Sequence, residues 1–226
     1  KLLGEDHPDT LISMNNLAVS YGELGDRKRQ RELLEKVYEQ RHKTLGEGHP
    51  KTLISMSNLA TVYSAAGEHQ RALELKQKVY AIRCELLGEE HPKTMIALSN
   101  LASSHDDLGH YRTSLEMNQK VYAVRCRILG EKHPDTLISL SKIASSHDRL
   151  NEHEQALELK QKVYAIRCEL LGEEHPKTLL TLSNISYSYD QLGRHDEARE
   201  IKEKIYAIRR ETLGEKHPKT LLVLNN

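Results

Sequence analysis

The chain has 226 residues, and 33 lysine and arginine residues balance 33 aspartate and glutamate residues, so the formal net charge is zero. A surface built to neutralise phosphates or to lie on anionic lipid normally carries net positive charge or a basic block, so nucleic acid and membrane surfaces are disfavoured as partners. Phenylalanine and tryptophan are absent and 38% of the residues are hydrophobic, which disfavours a single thick core built on large aromatic side chains.

Other features of the composition indicate a soluble protein. Charged residues make up 29% of the chain, and no apolar run approaches the roughly 18 residues that a bilayer span requires. The first residues, KLLGEDHP, lack the basic start and apolar stretch of a signal peptide. Three cysteines are too few for a disulfide scaffold, which favours a reducing compartment. We therefore expect a cytoplasmic protein.

The pattern Leu-Gly-Glu-x-His-Pro recurs every 42 residues along the chain. Its copies begin at Leu3, Leu45, Leu87, Leu129, Leu171 and Leu213. Self-similarity at a fixed period is typical of repeat proteins, so we predict one array over residues 1–226, as a fragment of a longer protein. The predicted repeats are approximately 8–49, 50–91, 92–133, 134–175 and 176–217, with a partial sixth repeat at 218–226.

Each repeat contains the signals of two helices. In the second repeat, Pro50 suits a first helical position, where its missing N–H costs nothing. Apolar residues then recur at spacings of three and four as far as Tyr63, and Gly67 suits the left-handed conformation that ends many helices. A second, longer helix is predicted from about Glu68 to Gly88. Because such a pair cannot bury both of its apolar stripes alone, we predict an all-α stack of helix pairs, a solenoid.

The residues of this unit resemble those of a tetratricopeptide repeat. Asn58 to Tyr63 has the pattern Asn-Leu-Ala-x-x-Tyr, followed by Gly67 and Ala72. The 42-residue period and the LGExHP linker resemble the kinesin-light-chain type of this repeat, and the HPxTL variant resembles the sensor arms of STAND or NB-ARC NTPases. The resemblance implies a right-handed solenoid of helix-turn-helix units that binds protein and is not an enzyme.

Several residues depart from the repeat pattern. Gln30 stands where the family has an alanine on the second helix, which should loosen the contact between the helices. His105 and His147 replace the tyrosine, where we expect rings that fill the seam, and Asn151 replaces the turn glycine. Because the cationic residues 27–29 do not suit a helix N-terminus, we also predict a late start for the second helix of repeat 1.

The resemblance implies that ligands, usually extended peptides, bind the first helix of each repeat on the concave side. That face includes aliphatic residues, Ile12, Ile54, Ile96, Ile138 and Leu180. The amide of an asparagine offers a donor and an acceptor to a peptide backbone, and Lys142 adds a charge for an acidic ligand residue. The candidate peptide-binding residues are Asn15, Asn16, Asn58, Ser99, Asn100, Ser141, Lys142, Asn184 and Tyr187. The alternative is that these asparagines cap local turns or keep the helix soluble.

Thirteen histidines invite a metal or catalytic interpretation, which their spacing disfavours. Six of them belong to the His-Pro linker, one per repeat, and are expected to start helices rather than to converge on one ion. The cysteines also keep the 42-residue interval, which indicates ordinary outer-face positions. No HExxH, paired CxxC, GxSxG or GxxxxGK[ST] motif occurs. We therefore expect no catalytic residue, no metal and no cofactor.

Three functions remain open from the sequence. The first is an interaction scaffold that binds a peptide or partner segment on the concave surface of the first helices. The second is a sensor or regulatory arm of a larger STAND-type signalling NTPase. The third is end-to-end self-association through exposed terminal repeats. In each case the expected partner is a protein and not nucleic acid or a membrane.

Overall fold

The computed structural model of the protein describes residues 4 and 6–224, and this part of the chain is helical with short turns and no strand. The helices are Pro8–Glu23 (α1), Arg27–Leu45 (α2), Pro50–Ala65 (α3), His69–Leu87 (α4), Pro92–Asp107 (α5), Tyr111–Leu129 (α6), Pro134–Arg149 (α7), His153–Leu171 (α8), Pro176–Gln191 (α9), His195–Leu213 (α10) and Pro218–Leu224 (α11). We call the odd-numbered helices A helices and the even-numbered ones B helices. The prediction of an all-α solenoid of helix-turn-helix units is confirmed.

Each A helix begins at a His-Pro dipeptide. In repeat 2, Pro50 takes the first helical position and His49 is the N-cap. The Nδ1 atom of His49 accepts a hydrogen bond from the backbone N–H of Lys51, at 3.1 Å, and the linker histidines of the other repeats make the same contact. This bond satisfies one of the donors that every helix start leaves without a partner. The predicted role of these histidines in starting helices is confirmed.

The turn from A helix to B helix requires one residue in the left-handed region. Gly67 supplies it in repeat 2, with φ at +78°. In repeat 4 the residue is Asn151, with φ at +59°. Asparagine visits this region more readily than other residues with a side chain, so the replacement of glycine retains the turn.

The second helix of repeat 1 does not start late, and that prediction was wrong. α2 begins at Arg27, the position that corresponds to His69 of α4. Asp26 is the N-cap, and its carboxylate accepts a hydrogen bond from the N–H of Arg29 at 3.1 Å. The negative charge of this cap compensates for the cationic first turn.

The chain divides into two compact units, Lys1–Met117 and Asn118–Asn226, with the boundary inside α6. In the first unit α1 to α4 each pack against the following helix, and in the second unit α7 to α10 do the same. One buried cluster of the first unit joins α1, α2 and α3 through Ala18, Leu34, Leu59 and Val62. The next cluster joins α3, α4 and α5 in the same way. In each of these clusters one B helix, α2 or α4, holds two A helices together.

A pair of polar contacts repeats where a B helix meets the next A helix. The guanidinium of Arg83 donates to the backbone carbonyl of Lys93 at 2.8 Å, and the hydroxyl of Thr94 donates to the carbonyl of Arg83 at 3.3 Å. The same two contacts occur around Arg41 and around Arg209. We call this pair of contacts the Arg–Thr clasp. It fixes the register of the two helices, because hydrogen bonds are directional and apolar contacts are not.

Gln30 is accommodated by a glycine on the facing helix. A β-carbon added to Gly22 of α1 would lie 2.4 Å from Nε2 of Gln30. In repeat 2 the corresponding residues are Ser64 and Ala72, with the larger side chain on the A helix. The sequence prediction treated Gln30 in isolation, whereas the structure shows that Gly22 makes room for it.

A buried charge lies in the second unit. Lys160 of α8 is only 7% exposed. Its Nζ donates to a carboxylate oxygen of Asp148 on α7 and to the hydroxyl of Ser188 on α9, both at 2.6 Å. An ammonium group is tolerated at such depth when it is paired and hydrogen-bonded. These two contacts tie one B helix, α8, to the A helices on both sides of it.

Replacement of Lys160 by methionine tests this network. Lys160→Met removes the donor that one oxygen of the Asp148 carboxylate shares with the Ser188 hydroxyl, so we expect the free energy of unfolding to fall by about 2 kcal/mol in urea. Lys202→Met is the matched control: Lys202 makes a 2.8 Å contact with Asp190, but its side chain is 30% exposed, and the expected loss is below about 1 kcal/mol. Equal losses for the two variants would contradict the interpretation.

A double-mutant cycle tests the compensation between Gly22 and Gln30. Alanine is favoured over glycine inside a helix by about 1 kcal/mol. In the natural chain we expect Gly22→Ala not to raise the free energy of unfolding by this amount, because the new methyl group displaces the side chain of Gln30. In a Gln30→Ala background the gain should reappear, giving a coupling energy of about 1 kcal/mol in chemical denaturation. The same effect of Gly22→Ala in both backgrounds would show that the two residues are independent.

Candidate peptide-binding surface

One face of the A helices is exposed and carries an aliphatic residue at the same position in every repeat. These residues are between 44% and 57% exposed. They are Ile12, Ile54 and Ile96 in the first unit, and Ile138, Leu180 and Leu222 in the second. A single exposed isoleucine needs no explanation, but one per repeat in the same register is a surface feature. We call these six residues the aliphatic row and the face that carries them the A-helix surface.

In the first unit, some of the predicted site residues are exposed and others contact neighbouring residues. Asn16 and Asn100 are exposed, each one helical turn after a member of the aliphatic row. Asn58 donates from Nδ2 to Oδ1 of Asn15 at 3.3 Å, which joins α3 to α1. Ser99 is 6% exposed, so its hydroxyl lies below the surface. The amides of Asn16 and Asn100 are therefore the ones that face solvent.

The second unit places Asn184 and Tyr187 on the A-helix surface. Asn184 is exposed, and Tyr187, three residues further along α9, is 56% exposed. Ser141 is half-buried, and its hydroxyl donates to the carbonyl of Leu137 in its own helix at 2.9 Å. Lys142 is half-buried as well. Asn184 and Tyr187 thus have the most accessible side chains of the predicted set in this unit.

A cavity of about 500 Å³ opens beside Tyr187. Leu180 and Tyr187 of α9 form one wall, Ile205 of α10 forms another, and Leu222 of α11 contributes to the lining. The volume lies within the range of about 300–1,000 Å³ that is usual for ligand pockets. Two members of the aliphatic row, Leu180 and Leu222, therefore border a recess.

Charged side chains line the same cavity. Lys202 and Arg209 are its cations and Asp190 is its anion. Lys202 donates to the Asp190 carboxylate at 2.8 Å, and this hydrogen bond lowers the pKa of Asp190 against a smaller opposing effect of burial. The lining therefore carries one more positive than negative side chain, which favours an acidic group on a ligand.

Sequence reasoning did not find the part of the cavity that α10 contributes. Lys202, Ile205 and Arg209 follow one another at spacings of three and four, which is the signal of a single helix face. Ligand contacts were expected on A helices alone, so this face of α10 was not among the predicted site residues.

The histidine, cysteine and acidic side chains of the described residues bear on other functional classes. Within residues 4 and 6–224, no group of three or more histidine, cysteine, aspartate or glutamate side chains is arranged to hold a metal ion. Cys84, Cys126 and Cys168 are free thiols, each half-buried. No helix in this part of the chain is long and apolar enough to cross a membrane.

Comparison with known families matches most of the chain. A family model described as Tetratricopeptide repeat matches residues 10–51, 94–135, 136–177 and 178–219, and a second model of the same description matches residues 31–85. The chain therefore belongs to the tetratricopeptide repeat family. Repeats of this family generally mediate protein–protein interaction.

Solved structures refine this assignment. Two crystal structures of nearly identical TPR-like repeats of a putative kinesin light chain from Podosopora anserina are similar to this chain. One has a TM-score of 0.82 and 31% identity and covers 93% of this chain and 99% of that one. The other has a TM-score of 0.80 and 33% identity and covers 92% and 98%. BtubC (BKLC) from P. vanneervenii shares the fold, with a TM-score of 0.76, 20% identity and coverage of 93% and 83%. The repeats are thus of a kinesin-light-chain-like type.

The comparison with curated proteins gave no match.

Substitutions of two asparagines separate local from exposed roles. Asn58→Ala removes the hydrogen bond to Asn15, so we expect the free energy of unfolding to fall by up to about 1 kcal/mol. Asn100→Ala changes an exposed side chain and should alter it by less than about 0.5 kcal/mol. Urea unfolding of both variants measures the difference. A loss for Asn100→Ala as large as that for Asn58→Ala would show that Asn100 also has a structural role.

Proposed function

We propose that this chain is a non-enzymatic interaction scaffold that binds a peptide or partner segment on its A-helix surface. The observation that supports the proposal is the aliphatic row, which exposes one isoleucine or leucine per repeat at one helical position. Burying these side chains against a partner is favourable because apolar surface leaves water. The fold is independent of this gain, since the buried stripe of each A helix uses other positions.

The polar residues beside the row define the ligand further. Asn16, Asn100 and Asn184 each follow a member of the row by one helical turn and are exposed. Their amides are suited to the N–H and carbonyl groups of an extended backbone. Lys142 adds a positive charge in repeat 4. Within each unit, the ligand that fits is a segment with aliphatic side chains along one edge and a backbone accessible to hydrogen bonds.

The cavity beside Tyr187 is the proposed anchor site. Binding energy at protein interfaces is concentrated in a few well-packed pockets, and this cavity combines Leu180, Tyr187 and Ile205 with two cations. An apolar ligand side chain would fill the recess, and an acidic group next to it would approach Lys202 and Arg209. We therefore propose an apolar residue with an acidic neighbour as the anchor of the partner segment.

The sensor-arm and self-association hypotheses also involve protein partners. A sensor arm would use the A-helix surface for a segment of its own protein or of an activator. Self-association would need no peptide, and light scattering over a dilution series distinguishes it. A mass above one chain that falls on dilution would show self-association.

A selection from a random peptide library displayed on phage tests the proposal. The full chain serves as bait, and fluorescence anisotropy measures the affinity of the most enriched peptide. We expect the enriched sequences to combine aliphatic and acidic residues. We expect the double variant Leu180→Ser and Tyr187→Ala to weaken binding by at least about tenfold, as loss of a central anchor does.

Leu170→Ser is the matched control. Leu170 lies in the last turn of α8 and is 47% exposed. The substitution therefore removes a similarly exposed leucine side chain that lies outside the A-helix surface. The affinity of the Leu170→Ser variant for the selected peptide should equal that of the natural chain. Equal weakening by the control, or peptides that bind the double variant undiminished, would contradict the proposed surface.

A further inference from the structure

Two histidine rings face each other across the turn between α5 and α6. His105 lies in the last turn of α5 and His110 precedes Tyr111, the first residue of α6. Their Nδ1 atoms are 3.4 Å apart, and the ring centroids are 5.6 Å apart. The backbone N–H of His110 donates to the carbonyl of His105 at 2.8 Å. The turn therefore brings the two rings together.

The distance between the two Nδ1 atoms matches the distance between two nitrogen ligands of a single metal ion. Good hydrogen bonds between polar atoms span about 2.7–3.2 Å, so a direct bond between the rings is weak. Two nitrogens that each lie about 2.1 Å from a tetrahedral zinc ion are about 3.4 Å apart, by the tetrahedral angle. We propose that His105 and His110 form a two-histidine chelate for a divalent transition metal ion such as zinc, nickel or copper. Imidazole nitrogen is a ligand that these ions prefer.

The charges around the pair suit a cation. Burial, followed by the neighbouring charge of His110, lowers the pKa of His105, whereas the charge of Asp106 acts in the opposite direction. A lowered pKa favours the neutral imidazole, which is the form that binds metal. Asp106 places a negative charge near the ring, and this charge favours a bound cation.

The other repeats show that the same two positions bring side chains into contact. In repeat 4 they are His147 and Glu152, and Nδ1 of His147 lies 2.6 Å from a carboxylate oxygen of Glu152. In repeat 2 they are Tyr63 and Glu68, which supply no imidazole. Repeat 3 is the repeat that places two imidazoles at these positions. A metal chelate there would be a local feature of one repeat on a turn that all repeats share.

Two protein ligands leave coordination positions open. His105 is half-buried and His110 is exposed, so solvent reaches the pair. The remaining positions of a tetrahedral ion would be taken by water or by a ligand from another molecule, as in open zinc sites. We therefore expect weaker binding than at a four-ligand structural site, and exchangeable metal.

Titration calorimetry of the full chain with zinc chloride or nickel chloride at pH 7.5 tests the proposal. We expect one saturable ion per chain, and loss of binding as the pH is lowered to 5, because protons compete for the imidazoles. His110→Gln should weaken binding by at least about tenfold. His105→Tyr should do the same, and it restores the residue of repeats 1, 2 and 5, so the fold is retained.

Controls distinguish this pair from the other histidines. His42→Gln removes an exposed histidine of α2 and should leave the affinity unchanged. In nitrogen-detected NMR of the imidazoles, zinc should shift the resonances that disappear in His105→Tyr and His110→Gln. About one ion per repeat would assign binding to the linker histidines and overturn the proposal. Unchanged affinity in either variant of the pair would also overturn it.

Discussion

Within each of the two units, the apolar stripe of a helix is covered by neighbouring helices, and the rest of the structure depends on this constraint. The cluster of Ala18, Leu34 and Leu59 shows it, since each residue comes from a different one of three successive helices. Stability is then a sum of contacts between neighbours. Apolar contacts alone would let helices slide, so the Arg–Thr clasp at Arg83 and Thr94 sets the register.

The same constraint leaves one face of every A helix without a role in folding. Residues one or two positions from a buried stripe, such as Ile54 next to Leu53, point away from the neighbouring helices and remain exposed. An exposed position can take an aliphatic side chain, an amide or a charge at little cost to stability. This freedom does not extend to Ser99, which is buried although it is next to the exposed Asn100.

The sequence predicted those features that depend on neighbouring residues. Pro50 and Gly67 bound α3 as expected, because the signals of helix start and helix end are local. Gln30 was misjudged because its partner, Gly22, lies on another helix and the two positions had to be compared together. The cavity wall at Ile205 needed the rotation of α10 about its axis, which periodicity predicts less reliably than the existence of the helix.

Repetition also explains how one backbone supports different local chemistry. In the turn after the A helix, Gly109 and Asn151 adopt the same left-handed conformation. The side chains that this turn brings together nevertheless differ: they are two imidazoles in repeat 3 and an imidazole with a carboxylate in repeat 4. A substitution at such a position changes a single interface, because contacts between repeats are local. Each repeat can therefore acquire its own polar group while the stack is retained. In repeat 3, that polar group is the pair of His105 and His110.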